Sequence, residues 1–237
     1  MFRLRLKDDR GKTKTAWLDS AHTFSFSGYF DHNHMGFSDL RVINDDYIMA
    51  GAGFGEHPHE SMEIISIVLK GVLEHKDGMG NATLLSRGDV QRMSAGRGVF
   101  HSEYNPSKDE YTHFLQIWIM TNKPDIESEY EQKRFGVEEE PDVLHLIASQ
   151  DGRNNSLTIH QDVEIYQASL NVAKTLSYPL CKERKTWIHI AEGSVKIKDH
   201  HLEEGDAISI SDEEGDLCIE GASEKSNLII FNLRNLP

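Results

Sequence analysis

Two short segments carry residues able to do chemistry. His57-Pro58-His59 places two imidazoles two residues apart, and His101-Ser102-Glu103 repeats the spacing with an imidazole and a carboxylate. In a β-strand, residues i and i+2 point to the same face, so each pair would present both functional groups to one side. Pro58 then points the other way, and with no N–H to donate it favours an edge or irregular position. Two such strands lining one interior could bring four groups together. Three imidazoles and one carboxylate suit Zn, Cu, Fe, Co, Mn or Ni better than Mg or Ca, which prefer oxygen ligands. Four protein ligands around a six-coordinate ion leave positions for water, substrate or dioxygen.

The surrounding sequence reads as short strands punctuated by glycine: LRVIND, EIISIVLKG, GVLEHKD, THFLQIWIM, TWIHIAEG, NLIIFNL and others. Their alternating or β-branched apolar character predicts an all-β fold of barrel or sandwich type. The best helical candidate is Asp125–Phe135, as one short helix or a turn. An internal repeat divides the chain. Glu63–Asp77 resembles Lys185–Asp199, each a strand, a glycine turn and a strand, and Ser86–Ser94 resembles Glu203–Ser211 through a shared Gly-Asp. The repeat predicts two barrels, residues 1–137 and 138–237, with the boundary in the acidic stretch Phe135–Asp142.

The sequence has 237 residues, with 25 Lys+Arg against 39 Asp+Glu and a net charge of −14. Such a chain repels a phosphate backbone, and no basic run offsets the repulsion, so direct nucleic-acid binding is not expected. No apolar run is long enough to span a bilayer as a helix. The N-terminus has no apolar segment of signal-peptide type, and two cysteines, Cys181 and Cys218, make no disulfide scaffold. A cytoplasmic protein is expected.

The glycine context is more specific than the ligand pairs. Gly53–Gly71 (GFGEHPHESMEIISIVLKG) resembles the first cupin motif, and Gly88–Asn105 (GDVQRMSAGRGVFHSEYN) resembles the second. Together with Thr23–Asp31 (TFSFSGYFD) and Gly36–Asp46 (GFSDLRVINDD), they resemble the pirin family over about residues 15–120. The resemblance implies a bicupin: two antiparallel β-barrels, the N-terminal one holding a divalent transition metal and the C-terminal one without a metal site. It implies His57, His59, His101 and Glu103 as metal ligands, and leaves Glu63 as a structural residue. It also implies a metal-dependent dioxygenase acting on quercetin or a related enolic aromatic. There Glu103 takes the 3-hydroxyl proton, dioxygen opens the flavonol ring, and carbon monoxide leaves. A second reading from the same resemblance is a regulatory or redox-sensing protein that works through a protein partner.

Phe54, Met62, Val99 and Phe114 are candidates for the apolar pocket wall, with ordinary core as the competing reading. Among the thirteen histidines, His75 and His113 could support the ligands, whereas His22, His32 and His34 are expected to be solvated, with lining the barrel mouth as the alternative. His145, His160, His189, His200 and His201 are expected to be structural or exposed. Aligning the two halves sets Cys218 and Glu220 on His101 and Glu103, and Pro179 and Cys181 on His57 and His59. An eroded second site is the expectation there.

Overall fold

The structure, a computed structural model, describes residues 1–236. The chain is nearly all β and forms two compact units. One comprises Gly11–Arg134 with Leu157–Gln161, and the other Met1–Arg10, Phe135–Ser156 and the chain from Asp162 onward. The main division therefore falls at Arg134/Phe135, close to the acidic stretch. The first ten residues belong with the C-terminal half, and residues 157–161 with the N-terminal half.

The first strand, β1 (Phe2–Arg5), belongs to the second unit. The first unit contains β2 (Gly11–Lys14), β3 (Leu18–His22), β4 (Leu40–Ile48), β5 (Gly53–His59), β6 (Met62–Lys70), β7 (Val72–Asp77), β8 (Ala82–Ser86), β9 (Asp89–Ser94), β10 (Val99–Tyr104), β11 (Thr112–Met120) and β12 (Glu129–Arg134). These make two antiparallel sheets, β12-β9-β6-β11-β4-β3-β2 and β5-β10-β7-β8. Leu18, Ile48, Val68, Leu73, Leu85 and Phe114 fill the space between them. The sheets face each other as an open jelly roll; the barrels predicted from sequence are not closed.

The short β14 (Leu157–Thr158) follows β13 (His145–Ser149). The second unit continues with β15 (Glu164–Asn171), β16 (Thr175–Leu180), β17 (Arg184–Glu192), β18 (Ser194–Ile197), β19 (His200–Glu203), β20 (Ala207–Ile210), β21 (Gly215–Gly221) and β22 (Lys225–Arg234). Hydrogen bonding runs β1-β20-β17-β22-β15-β13 in one sheet and β16-β21-β18-β19 in the other. The order matches β12-β9-β6-β11-β4-β3 and β5-β10-β7-β8 of the first unit, with β1 in the place of β12.

The repeat read from sequence is thus a structural one. Gly71 and Gly193 join corresponding hairpins at φ +77° and +72°, a conformation that L side chains rarely adopt. Asp89 and Asp206 also do the same work. In each turn the aspartate Oδ2 accepts from the backbone N–H three residues earlier, Ser86 at 2.8 Å and Glu203 at 2.9 Å.

The expected helix at Asp125–Phe135 is absent. Glu129–Arg134 instead pairs along β9, from Glu129 opposite Ser94 to Arg134 opposite Asp89. The pairing satisfies the backbone and sets Glu129 and Glu131 against Arg92, both at 3.2 Å. Tertiary pairing here overrides a weak local helical pattern. Among the described residues, no helix is long and apolar enough to cross a membrane.

Candidate metal centre

Strands β5 and β10 are neighbours, with His57 directly opposite His101. Along β10 the side chains alternate as the sequence predicts. Val99, His101 and Glu103 are buried, while Phe100 and Tyr104 are exposed. Along β5 simple alternation fails. The register slips between His101 and Glu103, so that Glu103 lies opposite Phe54 and not Gly55. This β-bulge adds one residue to β5 and switches the parity of the strand. Phe54 then packs against the core, and His57 and His59, three and five residues later, line the same cavity. Pro58 is exposed, as its missing donor requires.

The ligand nitrogens of His57, His59 and His101 lie within 4.8 Å of one another. His57 Nδ1 lies 2.8 Å from the Gly55 carbonyl oxygen and donates to it, which turns Nε2 toward the other two rings. His101 Nε2 stands 3.0 Å from that atom. His59 Nε2 is buried with no hydrogen-bond partner. Burial, with the nearby His57, pushes His59 down to about 4, and the same causes with His59 and His75 push His101 down to about 2. Both rings are therefore neutral near pH 7, the form in which imidazole binds a metal. A buried, unpartnered nitrogen beside two converging ones fits a borderline divalent ion, and these three histidines could hold it.

Glu103 stands apart from that trio. Its carboxyl is fully buried, with Oε1 accepting from Ser66 Oγ at 3.1 Å and Oε2 from Gln116 Nε2 at 2.5 Å. Burial pushes it up to about 7 against the opposing pull of these two bonds. Gln116 is itself oriented, because its Oε1 accepts from Trp118 Nε1 at 3.2 Å. Glu103 is thus held two residues beyond His101 on the same face, poised to take or give a proton near neutral pH.

A cavity of about 530 Å³ opens beside His57 and His59. Its apolar wall is Trp17, Leu18, Phe26, Phe54 and Trp118. Of the pocket candidates named from sequence, only Phe54 lines it. Phe114 is in the core, and Met62 and Val99 belong to a separate cluster with Ile64 and Met93. His22, expected to be solvated, is buried on the cavity wall, with its ring nitrogens 2.8 Å from Thr13 Oγ1 and from Asn44 Oδ1. His75 is buried 5.4 Å from the His101 ring, bonded to Asp77 at 2.9 Å and stacked on Tyr130. His113 bonds Asp45 at 2.7 Å, on the face of β11 opposite Gln116, and takes no part in the site. Glu63 is buried and accepts from Ser94 Oγ, a structural role. Sequence reasoning missed Ser66, Gln116, Trp118, Trp17 and Asp46. A lone glutamine within the apolar run FLQIWIM was the available signal for Gln116.

Among the described residues, the second unit has no such cluster. Cys181 and Cys218 are free and exposed, and Glu220 pairs with Lys196 at 3.4 Å. The inward positions of β16 and β21 are one residue out of phase with the alignment made from sequence. They hold Leu176, Tyr178, Leu217 and Ile219 within a cluster of fifteen buried residues. Side-chain parity decides the matter, since a one-residue offset moves a side chain to the other face.

Comparison with known proteins agrees. The Pirin family model matches residues 3–119, and the quercetinase C-terminal cupin domain matches residues 146–233. Quercetin 2,3-dioxygenase of Escherichia coli strain K12 is 45% identical over 233 residues, which is 98% of this chain and 99% of the relative. The crystal structure of the bacterial pirin YhhW from Escherichia coli, in complex with nickel(II), superposes with a TM-score of 0.94 at 44% identity. All of both chains is covered. Quercetin 2,3-dioxygenase from Acinetobacter baumannii shares only the fold, with a TM-score of 0.72 at 20% identity over 96% of this chain and 86% of that one. With a two-unit fold matched strand for strand and a relative this similar over its whole length, the chain belongs to the pirin family.

Proposed function

We propose that this chain is a divalent-metal-dependent dioxygenase that opens the flavonol ring of quercetin or a related enolic aromatic. The observation that carries this reading is the joining of three clustered imidazoles, a buried carboxyl and a largely apolar cavity in one unit. His57, His59 and His101, with Glu103, would hold the ion, which when bound supplies Lewis acidity and open coordination positions. The YhhW complex with nickel supports a transition metal of this class.

The chain's own residues then have definable roles. Trp17, Phe26, Phe54 and Trp118 surround a flat aromatic ligand and exclude water, in a cavity of the size that takes small molecules. Glu103 accepts the 3-hydroxyl proton, making the substrate electron-rich. Its position near neutrality lets it take that proton at pH 7 and return it afterwards. Ser66 and Gln116 keep its two oxygens oriented while the proton moves. Ring opening by dioxygen then gives a depside and carbon monoxide, as the family resemblance implies.

The test is aerobic and anaerobic incubation of metal-loaded protein with quercetin. Loss of the flavonol absorbance with carbon monoxide release, only when both oxygen and metal are present, supports the reading. No turnover with iron, copper, nickel, cobalt or manganese refutes it.

A further inference from the structure

The cavity has a second polar feature, set by β3 and β4. Asn44 and Asp46 lie two apart on β4, facing His22 and Ser20 across the pair with β3, and all four line the cavity. His22 bonds both Thr13 and Asn44 through its two ring nitrogens. Asp46 differs. Its side chain is 1% exposed, Ser20 donates to it, and its Oδ1 is buried with no hydrogen-bond partner. An unpaired buried oxygen is unfavourable, and the interior holds few of them without a reason. Asp46 lines the cavity, on a wall that also carries Trp17, Phe26, Phe54 and Trp118.

We propose that Asp46 is a specificity-determining residue of this cavity, receiving on Oδ1 a phenolic hydroxyl of the flavonol other than the 3-hydroxyl. The inference rests on the flavonol reading above and names what distinguishes a good substrate within that class. Burial, with Asp45 and Glu103 nearby, pushes the Asp46 carboxyl up to about 8. At neutral pH it is therefore an uncharged acid with a carbonyl oxygen to offer. A phenol meets that oxygen as a donor. A flavonol lacking the hydroxyl leaves the oxygen unpaired, and so binds less well.

The experiment measures binding without turnover. Metal-loaded protein is titrated anaerobically with quercetin and with 3-hydroxyflavone, which keeps the reacting hydroxyl and lacks the others. Quenching of Trp17 and Trp118, which line the cavity, is the readout. Wild type is expected to bind quercetin more tightly. Asp46→Leu is expected to lower the quercetin to 3-hydroxyflavone affinity ratio by at least about tenfold. Asp46→Asn keeps the shape and one oxygen, so it should lower the ratio less; it also serves if the leucine variant does not fold. A ratio unchanged in both variants overturns the proposal and assigns Oδ1 to water alone. The flavonol reading stands or falls separately: absence of turnover with an Asp46-dependent binding ratio refutes the dioxygenase and leaves the hydroxyl contact intact.

Discussion

Replacing Asp46 with asparagine should stabilise the metal-free protein, and by an amount that depends on pH. The folded carboxyl is held at about 8, whereas in the unfolded chain it returns to 3.8. Below pH 4 both states bind the proton and the group makes no difference. As pH rises from 4 to 8, the unfolded chain ionises while the folded one does not. The wild type then loses roughly 1.4 kcal/mol of stability per pH unit. At pH 7 about three units of this interval have passed, which amounts to about 4 kcal/mol. Asparagine does not titrate, so it escapes the loss. Its amide still reaches Ser20 but fits the site less well, so a net gain of about 2–3 kcal/mol at pH 7 is expected. Denaturant unfolding of both proteins between pH 4 and 9, followed by tryptophan fluorescence, gives the difference curve. It should rise from about −1 to −2 kcal/mol at pH 4, where only the poorer fit of asparagine counts, and level off above pH 8. A difference that does not change with pH would show that Asp46 is ionised in the folded state, and the account of its burial would be wrong.

Other perturbations test the support of the site. Gln116→Leu removes a bond that holds the Glu103 carboxyl down, so the acidic limb of the pH–rate profile should move up by about one unit; an unmoved limb would exclude Gln116 from that role. Gly53→Ala places a Cβ 2.6 Å from Tyr104 Cα and against the Glu103 carbonyl oxygen, both backbone atoms. Strands β5 and β10 must separate, and metal affinity should fall at least about tenfold. Gly55→Ala, where the added carbon meets nothing within 4 Å, is the control and should keep affinity. The double change Cys181→Ser, Cys218→Ser should leave the metal content unchanged, because both thiols lie on the surface.

Much of the site was legible because its chemistry is local in sequence. His57-Pro58-His59 and His101-Ser102-Glu103 each put two functional groups on one face of a strand, and the glycine motifs around them are specific. The parity change in β5 was not legible, since a bulge depends on how the partner strand is paired and no residue type announces it. Strict alternation would have set Phe54 and His57 on opposite faces. The orientation of Glu103 was hidden for a similar reason: it is fixed by Ser66 on β6 and Gln116 on β11, strands distant in the chain. His22 lies outside the motifs, and Asp46 ends the Gly36–Asp46 segment with nothing in its spacing to mark it as a site residue; only the pairing of β3 with β4 brings them to the cavity. Burial then changes the chemistry of Asp46, an effect that cannot be read from an aspartate in a string of letters. In the second unit, the alignment of Cys218 with His101 was a matter of one residue, and one residue separates core from solvent.

One metal ion is expected to be held by His57, His59 and His101, with Glu103, in the first unit and by nothing in the second. Metal analysis of the protein purified under native conditions, alongside His57→Ala, His59→Ala and His101→Ala variants, tests it most directly. About one divalent transition-metal ion per chain is expected for the wild type, with a large loss in each variant whose fold is intact by circular dichroism. Full metal content in folded variants would contradict the account.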